Sequence, residues 1–301
     1  MHSSSFVSII VSDLEAHPSL PRLLQSVARQ STGLERIEII VVGSNGHAPS
    51  APSLWSAITG INAIRLINVD NDATPALARN RAAETAHGDF LIFLRPDYRL
   101  DPKYLTTAFS VFTDNPEIDV MYADYIRLSP KKSSTRPGMV QLPDFDESLL
   151  QTRNILGPAV MIRKEAYDRT EGFRDNTIYR DWEFWIQLAM TGSTFCHVDY
   201  PLASCEHNKV SFRERAEDGR CKAMIVINNQ AYFHMHTIKW ALAYLRGEAW
   251  SQAFGFMTIP SPVEVTRMMT EFNMKQMGSD ALAQKAIQQF DASPLTVLAR
   301  R

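Results

Sequence analysis

The sequence lacks the features that would mark a secreted, disulfide-stapled or membrane-spanning protein. It has only three cysteines, Cys196, Cys205 and Cys221, with no C-x-x-C pair among its 301 residues. This odd count argues against a disulfide scaffold or a structural zinc site and is typical of a reducing compartment. No run approaches the ~20 apolar residues that cross a bilayer, and the first residues do not resemble a signal peptide. We therefore expect a cytoplasmic protein, with peripheral contact to a membrane surface as an open alternative.

The sequence also has no excess of basic residues over acidic ones. The 31 Lys and Arg residues are balanced by 33 Asp and Glu residues, for a net charge of −2, so nothing indicates a nucleic-acid partner. The lack of any G-x-G-x-x-G motif disfavours a dinucleotide-binding oxidoreductase. A nucleotidyltransferase is disfavoured too, because no Gly-rich loop with an arginine lies near the first apolar run. The remaining composition, 45% hydrophobic, is that of a globular protein with a sizeable core.

Strand and helix patterns alternate over the first hundred residues. Short apolar runs rich in β-branched residues predict buried strands at 6–11, 37–42, 64–69 and 90–94. Helical spacing of apolar residues, with Thr74 and Pro75 suited to a helix start, predicts helices at 18–30 and 74–86. Such alternation favours a parallel sheet with right-handed crossovers. In such sheets ligands bind beyond the carboxyl ends of the strands.

The pattern loosens after residue 101. Further elements are predicted as helices at 102–112, 164–169 and 182–190, strands at 120–128 and 160–162, and a loop at 129–138. From about residue 213 the chain is mostly helical, with a proline-rich break at Ile259–Pro262. We therefore expect one α/β domain over 1–212 and a helical C-terminal extension over 213–301. The aromatic residues of this extension either pack on the domain, form a homodimer interface, or contact a membrane surface.

Five segments, in this order, resemble the motif blocks of family 2 glycosyltransferases. They are FVSIIVSDLEAHPSLPRLLQSVARQS, IEIIVVGSNG, DNDATPALARNRAAETAHGDFLIFLRPDYRLDPKYL, GPAVMIRKEAYDRTEGFRD and YRDWEFWIQLAMTG. Together they cover roughly residues 6–212. The resemblance implies a GT-A fold, which is a Rossmann-like, mostly parallel sheet flanked by helices. It also implies a nucleotide-diphosphate sugar donor, UDP by default, with inversion at the anomeric carbon. The implied setting is polysaccharide or glycan assembly on a glycan or lipid-linked acceptor.

Asp181 is the candidate catalytic base, because it occupies the Asp position of the family's E-D-W-(D/E) block. A base is needed to take the proton of the attacking hydroxyl. Glu183 is the alternative base, and a helix N-cap is the alternative role for Asp181. Arg180 replaces the family's usual Glu. A cation there would either lower the pKa of Asp181 or offset the donor phosphates.

Asp97 is the remaining acid of the family's D-x-D motif, which here reads Arg95-Pro96-Asp97. In the family this motif binds a divalent cation that bridges the diphosphate. The resemblance thus implies Mg²⁺ or Mn²⁺ held by Asp97 together with His207, which resembles a late histidine of the family. Alternatively, Arg95 supplies the positive charge directly and the enzyme is independent of metal.

The remaining candidates lie where the family binds its nucleotide. They follow the first and second strands or belong to the family's A-R-N helix: Ser12, Asp13, Ser44, Asn45, Asp70, Arg79 and Asn80. The family's usual acid after the second strand is absent, so Ser44 and Asn45 would offer neutral hydrogen bonds or form a plain turn. The lost acids also leave a second hypothesis open, namely a catalytically degenerate GT-A module that acts as a scaffold or regulatory subunit.

Overall fold

The computed structural model describes residues 6–44, 58, 61–128, 138–175, 178–206, 212–252 and 254–291. Of these, 212–214, 279–280, 282–283 and 285–291 are described by their backbone only. Two of the predicted site residues, Asn45 and His207, lie outside the described residues. So does most of the loop predicted at 129–138.

One mixed sheet organises the described part of the chain. Its strands are β1 (Val7–Ser12), β2 (Ile37–Ser44), β3 (Ala63–Val69), β4 (Phe90–Leu94), β5 (Tyr98–Leu100), β6 (Val120–Leu128), β7 (Gly138–Val140), β8 (Val160–Arg163) and β9 (Phe195–Glu206). They lie in the order β3-β2-β1-β4-β8-β6-β9-β5, and β7 pairs with β6. Strands β1 to β4, β6 and β9 run in one direction, and β5, β7 and β8 run against them. The predicted mostly parallel sheet is confirmed.

Helices cover both faces of this sheet. They are α1 (Leu20–Ala28), α2 (Pro75–Glu84), α3 (Tyr104–Asp114), α4 (Glu147–Thr152), α5 (Lys164–Asp168), α6 (Arg180–Met190), α7 (Phe212–Asn228), α8 (Met235–Leu245) and α9 (Pro262–Asp291). Residues of α1 and α3 pack against one face, and residues of α2 and α6 against the other. Burial on both faces explains why β1, β2 and β4 read as continuous apolar runs.

The C-terminal helices share the core of the sheet. Ile225 in α7 and Trp240 in α8 are fully buried, in the same cluster as Trp182 and Phe184 of α6. The structure therefore shows the C-terminal region packed on the α/β domain, one of the three alternatives given above. Within the described residues, none of the helices combines the length and the apolar character that crossing a bilayer requires.

The largest differences from the predicted elements lie beyond the fourth strand. The sequence analysis did not predict β5, β7 or α4, which are three to six residues long, nor the twelve-residue strand β9. Strand β9 carries Asp199, Tyr200 and Pro201 in its middle, and much of it is only half-buried. Without a continuous or alternating apolar run, it gives no periodic signal.

Glu38 ties the amino ends of the central strands together. This carboxylate of β2 is only 1% exposed and accepts hydrogen bonds from the Ser8 hydroxyl, the His87 amide (2.6 Å) and Arg65 Nη2 (2.9 Å). Burial by itself raises the pKa of Glu38, but the hydrogen bonds from Ser8 and His87 and the charge of Arg65 lower it below the ordinary 4.5. Ionised Glu38 therefore stabilises the folded state at neutral pH.

We expect Glu38→Gln to lower the free energy of unfolding at pH 7 by about 1–3 kcal/mol, the usual cost of losing charged hydrogen bonds in a buried site. The pKa of Glu38 is lower in the folded state than in the unfolded state. Its contribution to stability is therefore complete above the unfolded-state pKa and is lost as the pH falls through the folded-state pKa. Urea titrations at pH 7 and pH 3 measure the difference. Glu35→Gln, at a side chain that is 71% exposed, is the control. An equal loss for both variants at pH 7 would contradict the assignment.

Candidate active site

A cleft of about 370 Å³ lies at the carboxyl ends of the parallel strands. It lies where the crossover topology places ligands in open α/β sheets. Predicted site residues from distant parts of the sequence line it together, namely Ser12, Asp13, Ser44, Arg79 and Arg95, and Arg180 joins them. Three guanidinium groups thus share one space with the buried carboxylate of Asp13 and the exposed carboxylate of Glu15, and this excess of positive charge suits an anionic ligand.

Asp13 and Ser44 come from the adjacent ends of β1 and β2. Asp13 is 2% exposed, and its Oδ1 accepts a hydrogen bond from the His17 amide at 2.7 Å. Its Oδ2 is buried and has no hydrogen-bond partner among the residues that the structure describes. Burial raises the pKa of Asp13, and the hydrogen bond from His17 only partly offsets this. The Ser44 hydroxyl donates to the Leu14 carbonyl at 2.8 Å, so this side chain is engaged in holding the loop after β1.

Arg79 and Asp181 form an ion pair beside the cleft, although they are far apart in sequence. Arg79 Nη1 donates to Asp181 Oδ1, and the Arg79 guanidinium carbon lies 4.8 Å from the centre of the Phe173 ring. Asp181 does not line the pocket itself, but 43% of its side-chain surface is open. Helix α6 begins at Arg180 and has Tyr179 as its N-cap, so Asp181 is not the cap. The packing role of Phe173 was missed, because no sequence pattern links it to Arg79.

Asp181 stays ionised because cations surround it. Its position deep among protein atoms raises its pKa, but the charge and hydrogen bond of Arg79, followed by the charges of Arg180 and Arg95, lower it below the ordinary 3.8. The lowered pKa makes Asp181 a weaker base, as the sequence analysis anticipated for a neighbouring arginine. It also keeps the carboxylate in its proton-accepting form throughout the neutral range.

Arg95 and Asp97 form a two-pronged ion pair. Arg95 Nε donates to Asp97 Oδ1 and Arg95 Nη2 to Asp97 Oδ2, both at 3.1 Å. Asp97 is 4% exposed and does not line the cleft, whereas the Arg95 side chain is 49% exposed and does. Within the described ranges, no cluster of three or more His, Cys, Asp or Glu side chains could hold a metal ion.

Arg180 lines the cleft, where the charges of Asp181 and Asp175 act on it without a direct contact. It makes no hydrogen bond or ion pair within 4 Å to any residue that the structure describes. Burial is the main reason why the pKa of Arg180 is lowered from its ordinary value, and the nearby charge of Arg79 adds to the effect. An anionic ligand would form strong, charge-assisted hydrogen bonds with such a buried guanidinium.

Glu183, Asn80 and Asp70 do not contribute to the cleft. Glu183 is completely buried and bonded to Arg174 Nη1 at 3.1 Å, so it is not placed to act as the base. Asn80 Nδ2 donates a hydrogen bond to the Phe173 carbonyl, and Asn80 Oδ1 accepts one from the Phe173 amide, both at 2.8 Å. These two bonds hold the turn after α5 in place. Asp70 is exposed after β3 and outside the cleft lining, with its carbonyl accepting from the Ala73 amide.

Comparison with known proteins settles the family of this chain. The sequence model of the family described as "Glycosyl transferase family 2" matches residues 8–170, more than half of the 301 residues. The chain belongs to glycosyl transferase family 2. The resemblance noted in the sequence is confirmed, and the protein is a glycosyltransferase.

Curated relatives of this glycosyltransferase include bacterial proteins of PGL/p-HBAD biosynthesis and of O-antigen biosynthesis. A PGL/p-HBAD biosynthesis glycosyltransferase from Mycobacterium tuberculosis is 29% identical over 187 residues, covering 60% of this chain and 68% of the relative. The O-antigen biosynthesis protein RfbC from Myxococcus xanthus is 24% identical over 167 residues. That match covers 55% of this chain but only 13% of RfbC, so most of RfbC has no counterpart here.

Solved structures with the same fold include two proteins determined in complex with nucleotide sugars. S. aureus TarS 1-349 in complex with UDP-GlcNAc matches with a TM-score of 0.58 and 17% identity, covering 82% of this glycosyltransferase and 73% of that chain. The mannosyltransferase PcManGT from Pyrobaculum calidifontis, in complex with GDP-Man and Mn²⁺, gives a TM-score of 0.58 and 17% identity over 97% of this chain and 82% of the other. At this identity the likeness shows the GT-A fold alone.

Proposed function

We propose that this glycosyltransferase moves a sugar from a nucleotide-diphosphate sugar to a hydroxyl group of a glycan or lipid-linked acceptor. The observation that carries the proposal is the juxtaposition of an ionised, partly open Asp181 with three arginines at the carboxyl edge of the sheet. The carboxylate suits proton abstraction, and the guanidiniums suit a diphosphate. The curated names of relatives, O-antigen biosynthesis and PGL/p-HBAD biosynthesis, support a role in glycan assembly.

In this mechanism Asp181 accepts the proton of the acceptor hydroxyl. The hydroxyl oxygen forms the new bond to the anomeric carbon while the bond from that carbon to the diphosphate oxygen breaks. The nucleoside diphosphate leaves with the electron pair of that bond, and the guanidiniums of Arg79 and Arg180 stabilise its growing negative charge. A single displacement of this kind inverts the anomeric configuration. The proton on Asp181 passes to water when the product leaves.

The nucleoside is proposed to lie at the ends of β1 and β2. Asp13 Oδ2 is a buried acceptor without a partner in the described part of the chain, and an N–H group of a nucleobase would satisfy it. Burial raises the pKa of Asp13, and an N–H donor would stabilise its ionised form. UDP is the proposed nucleotide, supported by the family default and by the complex of TarS with UDP-GlcNAc.

Calorimetric titration with UDP, GDP, dTDP and CMP tests this placement. We expect UDP to bind best and Asp13→Ala to weaken its binding by about tenfold, since a lost hydrogen bond to a charged group costs about 1.5 kcal/mol. Asp89→Asn is the control, because Asp89 bonds the Phe6 amide ahead of the amino end of β1. Failure of all four nucleotides to bind would overturn the proposal and favour the scaffold hypothesis.

A further inference from the structure

The family resemblance implies a divalent cation at the D-x-D position, but the residues present do not fit one. Both carboxylate oxygens of Asp97 already accept hydrogen bonds from Arg95. A cation binding to Asp97 would have to displace a guanidinium from a two-pronged pair, and the first acid of the motif is itself this arginine. The displaced charge would then lie beside the metal ion and oppose its binding.

The charges lining the cleft are already arranged as a diphosphate site. Asp97 balances Arg95, and Asp181 balances Arg79. Arg180 adds a third positive charge without an acidic partner within 4 Å among the described residues. Arg95 uses Nε and Nη2 for its pair with Asp97, and its half-exposed side chain lines the cleft, so Nη1 can face a bound phosphate while the pair stays intact. Guanidinium groups pair with phosphate through two parallel hydrogen bonds.

We infer that Arg95 and Arg180 bind the donor diphosphate directly and that donor binding does not require a divalent cation. This inference rests on the proposed function and concerns how the same site binds its donor. Arg95 takes the place of the metal ion as the charge opposite the diphosphate. Arg180, which stands where the family has Glu, supplies the second guanidinium.

The test is calorimetric titration of UDP into the full chain, first with Mn²⁺ and then with EDTA. We expect the Kd to agree within about threefold between the two conditions. Arg180→Ala should weaken binding about tenfold or more in both. Arg169→Ala, which removes a surface ion pair with Asp119, should leave the Kd unchanged. Titration of Mn²⁺ alone into the wild-type protein should give no binding.

The variant Arg95→Asp provides the reciprocal experiment, because it restores the family's first acid and removes the guanidinium. We expect it to lose UDP binding in EDTA by about tenfold or more, and to recover binding when Mn²⁺ is present. Wild-type binding of UDP that disappears in EDTA would overturn the inference but leave the proposed function intact. Lack of UDP and GDP binding in both conditions would overturn the proposed function as well.

Discussion

Replacing Asp181 with Asn is expected to lower the turnover of sugar transfer by about 10²–10⁴-fold, the usual contribution of a general base. The amide keeps the shape of the side chain but cannot accept the hydroxyl proton. Binding of UDP should persist, because Arg79, freed from its ion pair, remains to face the diphosphate. The measurement is steady-state turnover with UDP-sugars together with the Kd for UDP. Loss of turnover with retained binding is the expected signature.

Asp119→Asn is the matched control for this prediction. Asp119 is also ion-paired with an arginine, Arg169 at 2.8 Å, but lies outside the cleft, so its variant should retain wild-type turnover. Since the pKa of Asp181 is lowered below 3.8, wild-type turnover should not fall through protonation of this group until the pH nears 4. A variant Asp181→Asn with turnover close to wild type would place the base elsewhere.

Truncating Glu183 to Ala is expected to lower the free energy of unfolding by about 3 kcal/mol, since removing one partner of a buried ion pair strands the other. The Glu183 side chain is completely buried, and Oε1 accepts from Arg174 Nη1 at 3.1 Å and from Asn228 Nδ2 at 2.9 Å. These bonds join α6, which carries Asp181, to the end of α7. Urea denaturation should show a lower midpoint with an unchanged slope.

Glu171→Ala is the control, because Arg174 also pairs with Glu171. That carboxylate is 75% exposed, and loss of an exposed pair costs about 0–1 kcal/mol. The comparison keeps Arg174 constant and sets a buried acid that also bonds Asn228 against an exposed acid. Equal destabilisation by the two variants would show that burial does not determine the strength of the link between α6 and α7.

The parallel half of the fold could be predicted from the sequence because its strands are buried on both faces. Strand β4 therefore consists of apolar residues alone, and β1 consists of four apolar residues and two serines. In the second half β6 and β8 could be predicted too, but β5 and β9 could not, because β5 is three residues long and β9 is polar and half-buried along much of its length. Their positions depend on pairing with each other and with β6, which local periodicity does not encode.

The candidate site was predictable in its residue types but not in its pairings. The order of the motifs and the ends of the strands pointed to Asp13, Arg79, Arg95 and Asp181. That Arg79 contacts Asp181, about a hundred residues later in the chain, follows only from the tertiary fold. The hydrogen bond from Asn80 to Phe173 likewise follows only from the tertiary fold, because neighbouring residues of one helix point in different directions.

The strand order also determines when the site can exist during synthesis. Strands β1 to β4 emerge first and can pair with one another, because β1 lies between β2 and β4. Their other edge stays open until β8 arrives, and Arg180 and Asp181 follow only after β8 in the chain. A nascent chain therefore carries the proposed nucleoside end of the cleft, with Asp13, before the proposed base Asp181 is made. Arg180, which is proposed to bind the diphosphate, is made together with that base, so the proposed site is completed in one step.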